Sequence, residues 1–460
     1  MKRADLRRLA AASMVAAIGL SGAAACSGDK NGGGSGSDSS VLLDKNAKVS
    51  ISVDCQPPTT KPAQRKQWLD DIAAFNKIHP NVTITSKDAS PCEQPAAFAA
   101  QLKAGTQTDL FYAYFTDLGA VLDAGQAADI TRYVTPETVS TRNDIDPSVL
   151  DTFTADGKLY GLPRNNYKMG LIYNRKLFGQ AGLDPDKPPT TWDEVAAAAR
   201  KISALGNGIN GYGEYSAANT GGWHFTAELY GLGGRMVTAD GKKAAFNDAN
   251  GKQLLRNLHT MRWVDRTMGE TQGYKWPDLM TTMVAGKEGM YVGAPDDITY
   301  MVETLKGDYA DYGMGPMPGG KGALLGGDGY FFKKSLTPDQ IKAGIAWLDF
   351  KFLTPGKGQF EYARNKADGL PVGLPEPFFF TGASAQKESQ NKATYATIPV
   401  ANFTAYVSTQ VPGLVEPPHA QEIYKVLDTT VSAVLTDKNA NIDELLKTAE
   451  TQVNQVLANA

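Results

Sequence analysis

Apolar and polar residues alternate from Lys48 to Asp54 with Val49, Ile51 and Val53 on one face, the period-two pattern of a half-buried strand. Leu69, Ile72, Phe75 and Ile78 then recur at helical spacing, and His79-Pro80 stops that helix before a strand at Val82-Thr83-Ile84. Pro95 to Lys103 reads as a second helix ended by Gly105, and Leu110 to Tyr114 as a third strand. Strand, helix, strand, helix, strand at this spacing predicts an α/β lobe with parallel pairing and right-handed crossovers. The pattern restarts near residue 160: Tyr160-Gly161-Leu162-Pro163 breaks the chain ahead of an apolar strand from Met169 to Tyr173. Thr191-Trp192-Asp193-Glu194 has the form of a capping box, so an Ala-rich helix should run from there to about Ala204 with Trp192 packed in its first turn. Later segments repeat the theme. Gly251 to Arg266 and Ile341 to Phe352 are expected helices, Gly289 to Val292 and Tyr330 to Phe332 strands, and Gln421 to Leu435 and Ile442 to Leu457 closing helices.

The N-terminus follows a different rule. Lys2, Arg3, Arg7 and Arg8 precede an apolar run from Leu9 to Leu20 that ends in small residues, the layout of an export signal too short to span a bilayer. Ala23-Ala24-Ala25 leads into Cys26 and then a Gly/Ser-rich stretch from Asn31 to Ser40, which resembles a bacterial lipobox followed by a random-coil tether. Residue 23 is Ala where that box usually has Leu, so an ordinary signal peptide cleaved nearby is the alternative. With Cys26 lipidated, the cysteines left are Cys55 and Cys92, an even pair expected to form a disulfide in an oxidising compartment; two buried thiols are the alternative.

Composition narrows the function. At 460 residues and 42% apolar, the chain exceeds one hydrophobic core and should hold two domains. Its 46 Lys and Arg against 49 Asp and Glu give no basic field for nucleic acid. Four histidines, His79, His224, His259 and His419, show no metal-ligand spacing, and no Gly-x-Ser-x-Gly elbow is present. Gly206 to Gly211 fits a dinucleotide motif by letter but follows a helix, so it reads as a helix end and loop. Gly315 to Gly322 nearly copies a phosphate loop, yet Gly322 stands where a hydroxyl should be and Pro316 and Pro318 remove amides. No cofactor is implied.

Several stretches, in order, resemble the sugar-binding group of extracellular solute-binding proteins of ABC importers. They are Phe75-Asn76-Lys77 with Pro80 to Ile84, Ala99 to Leu110, Tyr160 to Pro163, Leu171 to Phe178, and Ala181-Gly182-Leu183 with Pro189 to Glu194. Gly286 to Pro295, Gly315 to Gly319 and Gly369-Leu370-Pro371-Val372 continue the series, which spans residues 48 to 435. The resemblance implies a periplasmic-binding-protein-like fold of two discontinuous α/β lobes joined by hinges, closing over a solute in the cleft. The expected layout is a signal peptide over 1–25, a lipidated tether over 26–46, lobe 1 over 47–162 and 294–355, and lobe 2 over 163–293 and 356–460. It further implies a monomer outside the cell, anchored by lipid, that hands its solute to permease subunits.

Ligands of open α/β sheets bind beyond the carboxyl ends of strands. That rule selects Asp54 and Gln56 after the first strand, Tyr114, Thr116 and Asp117 after the third, and Asn166 and Tyr167 at the hinge. It also selects Trp223 and His224 in a Gly-rich loop, Asp296 and Asp297 after a strand, and Asp328 before one. Aromatic faces cover the C–H faces of a sugar ring, and carboxylates and amides bond its hydroxyls. The resemblance places Thr116, Asp117, Tyr167, Trp223 and Asp296 at or beside sugar-contacting positions, with Asp296 standing where an aromatic is frequent. The same palette suits polyols, glycosylamines or a cationic solute. Other classes compatible with the chain are an exported glycosidase using paired carboxylates such as Asp70-Asp71 or Asp296-Asp297, and a two-lobed surface sensor or adhesin.

Overall fold

A computed structural model describes residues 40–88, 95–377 and 379–459. The export signal, Cys26 and most of the tether, as well as Cys92, lie outside these residues. In chain order the strands are β1 (Val49–Gln56), β2 (Val82–Asp88), β3 (Leu110–Tyr114), β4 (Thr154–Ala155), β5 (Lys158–Leu159) and β6 (Gly161–Lys168). They continue with β7 (Gly170–Asn174), β8 (Met290–Gly293), β9 (Tyr312–Gly315), β10 (Ala323–Phe332) and β11 (Gly413–Val415).

The expected first lobe forms around β1, whose Val49, Ile51 and Val53 are buried while Ser50 is exposed. β1 pairs in parallel with both β2 and β3, and antiparallel β10 adds to β3, giving the order β11-β10-β3-β1-β2 with β6 also on β10. A small sheet, β8-β7-β9, carries the second lobe. Its strands alternate between two cores: Leu171, Tyr173 and Val292 face one, Ile172, Tyr291 and Met314 the other. Burial on both faces explains why β7 reads as a continuous apolar run.

β6 and β10 are the strands that pass from one core to the other. Leu162 and Tyr330 pack in the first core, whereas Tyr167 and Leu324 pack in the second. By sequence pattern residues 160–163 form a break and only Tyr330–Phe332 of β10 a strand. Pairing across the crossing makes both into long strands. Glycine permits it: a Cβ on Gly326 would lie 2.4 Å from the Tyr167 hydroxyl, and one on Gly329 2.3 Å from the Leu162 carbonyl oxygen.

Packing also redraws the expected lobes. Ile298, Met301, Tyr312 and Met314 pack with Ile172 and Tyr291, on the second-lobe side, although residues 294–355 were expected in lobe 1. Phe360, Tyr362, Val372 and Phe379 pack in the first core, although 356–460 was expected in lobe 2. Side-chain burial, which sequence position does not fix, decides which core a segment joins.

The first helix, Pro62–Ile78, buries Trp68, Asp71 and Phe75, while Leu69 and Ile78 of the expected stripe are exposed. The face is turned because Asp71 is buried against Lys351 and Arg364. Asp70 is bound instead to exposed Lys66, so these adjacent aspartates occupy different environments. The Thr191–Glu194 capping box forms as read, with the Glu194 amide donating to Thr191 Oγ1 at 3.3 Å and the Thr191 amide to Glu194 Oε2 at 3.1 Å. Trp192 is buried in that first turn. After the helix, Gly206 and Gly208 adopt φ of +74° and +68°, the loop conformation expected for the dinucleotide look-alike.

Cys55 is disulfide-bonded, and its expected partner Cys92 lies outside the described residues, so the Cys55–Cys92 pairing is carried as a proposal. Reduction under denaturing conditions should expose two alkylatable thiols from these positions. Cys55→Ser with Cys92→Ser is then expected to lose roughly 3–4 kcal/mol of stability in a urea melt. Unchanged stability would place the bond's closure entropy elsewhere.

Candidate functional site

At the crossing of the two lobes the β6–β10 ladder carries a bulge. Asp328 pairs with Asn165 and Gly329 with Pro163, leaving Arg164 as the extra residue. The bulge re-aims Arg164 so that Nε and Nη2 reach Asp328 Oδ1 and Oδ2 at 2.6 and 2.7 Å, a bidentate pair. Tyr112 Oη donates to Asp328 Oδ2 at 3.2 Å, and its ring lies 5.2 Å beneath the guanidinium. Asp328 also stands opposite Tyr114 on β3, which brings the ends of three strands to one level.

Around this level the structure gathers residues from both lobes. Tyr167 meets Trp223 edge to face, ring centroids 6.4 Å apart. Burial raises the Tyr167 phenol well above its usual value, and the charges of Glu416, Asp296 and Asp297 raise it further, so these carboxylates share its surroundings. Asp296 keeps part of its surface in solvent, but protein encloses its carboxyl on most sides; that burial raises it first, and the charge of Asp328 raises it further. Beside it, Asp297 is buried, accepting from Trp276 Nε1 at 3.1 Å and Tyr291 Oη at 3.2 Å. Thr116 and Asp117 line a cavity of about 350 Å³ between residues 115–120 and 415–422, with Glu416 on its far wall. Asp117 accepts from the Tyr114 amide at 2.8 Å, and burial lifts it to about 6; Glu416 accepts from Tyr424 Oη and is lifted to about 7.

Tyr114, Thr116, Asp117, Tyr167, Trp223, Asp296, Asp297 and Asp328 therefore converge. Asn166 is buried on β6 opposite Gly327. Three other expected ligands point elsewhere. Asp54 is buried under the sheet, where its Oδ1 accepts from the Tyr112 amide at 3.0 Å. Gln56 is buried and donates to Asp88 Oδ1 at 2.8 Å. His224 is fully buried with Nδ1 at 2.8 Å from Glu214 Oε1, and burial lowers it to about 4. The segment read as a glycine loop is the first turn of a helix, Thr220–Gly231, so Trp223 and His224 leave it in different directions. Asp428 holds that turn by accepting from the amides of Asn219 and Gly222 at 2.6 and 2.9 Å.

Sequence reasoning missed Arg164, Glu376, Glu416 and Trp276. Arg164 lies two positions before Asn166 in a hinge segment that also holds Lys168; Glu376, Glu416 and Trp276 lie in loops without strand signals.

Asp54 gives a pH test. Burial raises its carboxyl from 3.8 to about 7, so the folded chain keeps a proton that the unfolded chain loses above pH 4. Its contribution therefore makes stability fall as pH rises from about 4 to about 7 and level off beyond. Asp54→Asn should flatten that part of the profile of urea midpoints between pH 4 and 8; an unaltered slope would assign it to other groups.

Two lobes, crossing strands and a site at the crossing define a two-lobed binding-protein fold. The cyclic α-maltosyl-1,6-maltose binding protein from Arthrobacter globiformis shares it, with a TM-score of 0.71 at 22% identity over 90% of this chain and 100% of that one. Residues 59–351 match the family model of bacterial extracellular solute-binding proteins, and the chain belongs to that family. A binding protein of Brucella abortus (strain 2308) is 25% identical over 308 residues, 66% of this chain and 72% of the relative. The sn-glycerol-3-phosphate-binding periplasmic protein UgpB of Brucella melitensis biotype 1 is 28% identical over 232 residues, 48% of this chain and 50% of that protein. Among the described residues no helix is long and apolar enough to cross a membrane.

Proposed function

We propose that this protein is the receptor of an ABC importer, capturing a small polyhydroxylated solute, a mono- or oligosaccharide, between its lobes and delivering it to permease subunits. The observation that carries this reading is the meeting of Tyr114, Tyr167 and Trp223 with Asp117, Asp296 and Glu416 at the β6–β10 crossing. Aromatic faces and hydrogen-bonding carboxylates on two cores joined by strands suit a ring of hydroxyls gripped from both sides. The sugar-binding name of the Arthrobacter globiformis neighbour supports it. Closure follows from differential contact: solute held first by one lobe gains bonds from the other, and the closed state is favoured by that difference.

In the same reading Cys26 is lipidated after export, so that a monomeric receptor stays on the outer face of the membrane near its permease. Lobe 1 comprises residues 47–162 with parts of 325–380, and lobe 2 the segments that pack on β7, β8 and β9. Asp117, Thr116, Tyr167, Trp223 and Asp296 contact solute, and Arg164 with Asp328 fixes the floor.

The test is the melting temperature of the full-length protein against mono- and oligosaccharides, polyols, amino acids and polyamines, with each mixture examined for cleavage. A solute at about 100 times its dissociation constant adds about 2.7 kcal/mol, a visible shift. A shift with intact sugars is expected. No shift with any sugar sinks the reading, and a cleaved sugar replaces it with a glycosidase.

A further inference from the structure

We infer that Asp428 is a positioning residue of the cleft: from the closing helix Ala420–Thr436 it clamps a strained turn and so fixes the direction of Trp223 before solute arrives. The inference rests on the reading above in which Trp223 contacts solute.

The turn that opens the helix Thr220–Gly231 is not one this sequence adopts unaided. Ala218 and Asn219 are consecutive residues in the left-handed region, with φ of +55° and +70°, and neither is glycine. Asparagine tolerates that region, but alanine there crowds its Cβ against the carbonyl oxygen that follows. Such a conformation persists only where its surroundings over-determine it. A helix start does not require it. At Thr191 the N-cap is extended and its own side chain bonds the first turn, whereas Asn219 makes no side-chain cap.

The bonds that hold the turn come from one face of the closing helix. Asp428 Oδ2 accepts from the Asn219 amide at 2.6 Å and its Oδ1 from the Gly222 amide at 2.9 Å, so one carboxylate spans the strained pair and the first helical turn. Gln421 Oε1 accepts from Asn219 Nδ2 at 3.1 Å. Glycine lets the two helices approach this closely: a Cβ on Gly221 would lie 2.9 Å from Asp428 Oδ1, and one on Gly222 2.3 Å from the Tyr424 Cα. Gln421, Tyr424 and Asp428 share that face at helical spacing. Tyr424 donates from it to Glu416 Oε1 at 2.7 Å, so the same face also sets an acid that lines the cavity.

Trp223 takes its direction from this turn. Its amide donates to the Asn219 carbonyl oxygen at 3.2 Å, which places the indole one helical turn beyond the clamped residue. Beside it lies the His224 ring, 5.4 Å between centroids, itself held at Nδ1 by Glu214 Oε1 at 2.8 Å. A ring fixed in this way meets solute with its ordering already complete in the folded protein.

The test uses the full-length protein and its variants, titrated with maltose, maltotriose, galactose and any further sugar that shifts the parent's melt. With a sugar the parent binds, Asp428→Ala is expected to lose at least about tenfold in affinity, and Asp428→Asn, which keeps one acceptor oxygen, to lose less. The near-ultraviolet circular dichroism that separates the parent from Trp223→Phe should be weakened in Asp428→Ala with no sugar present. Adding Ala218→Gly to Asp428→Ala relieves the strain and should restore the melting temperature while affinity stays low. Affinity that returns together with the melting temperature makes Asp428 a stabilising residue only and overturns the inference. An Asp428→Ala protein that binds like the parent, or that keeps the Trp223 dichroism while losing affinity, overturns it as well. Trp223→Ala binding a sugar as tightly as the parent removes the contact on which the inference rests and leaves the sugar reading standing. Binding of no sugar by the parent overturns both.

Discussion

Asp328→Ala is expected to cost both stability and solute binding. The residue is 7% exposed and holds both sides of the Arg164 guanidinium, while Tyr112 Oη donates to it from below. Removing the carboxylate strands a positive charge at the strand crossing and leaves a phenol without its acceptor. Arg164 keeps about a third of its side chain in solvent, so the loss should be about 2–3 kcal/mol, below that of a fully buried pair. Urea midpoints measure it. Affinity should fall at least about tenfold, because Arg164 would no longer be held in the floor of the cleft. Arg164→Met combined with Asp328→Asn removes both charges and should recover part of the stability with no recovery of binding. A single Asp328→Ala protein that melts and binds like the parent would show that the pair positions nothing.

Trp223→Ala is expected to weaken solute binding by about 30- to 100-fold, roughly 2–3 kcal/mol, the range for an aromatic anchor in a pocket. Trp223 is only half-buried, in the first turn of a helix pinned by Asp428, and its outer neighbour is Tyr167. Its indole therefore has a face to offer. Trp223→Phe, which keeps a ring but less area, should retain most of the affinity. The competing role is packing alone. In that case the alanine variant would lose several degrees of melting temperature with its dissociation constant unchanged, and measuring both quantities decides between them.

His224 was indistinguishable from Trp223 in the sequence, because neighbours in a presumed glycine loop carry no information about direction. Once Thr220–Gly231 is helical, consecutive residues diverge by about 100° around the axis, and His224 enters the second core, where Glu214 meets it. Asp54 and Gln56 are enclosed for a related reason. They end β1 as the strand-end rule requires, but β1 is flanked on both sides and its last residues are covered by β3, Tyr330 and Asp88. Strand ends at a sheet's centre are common, and only packing tells which of them remain open.

The local order of elements belongs to the sequence: alternation made β1, a capping box started the helix at Trp192, and the two closing helices formed within a residue or two of their apolar stripes. The ordered family motifs likewise carry the two-lobed fold. The tertiary structure decided the rest. It packed Ile298, Met301, Tyr312 and Met314 against Ile172 and Tyr291, turned the first helix to bury Asp71, and put Arg164 in a bulge facing Asp328. It also brought Glu376 and Glu416 to residues some two to three hundred positions earlier in the chain. Periodicity records only whether a residue tends to face inward within its own element. Which element it faces depends on contacts far apart in sequence, and those appear only when the two cores and their crossing strands are assembled.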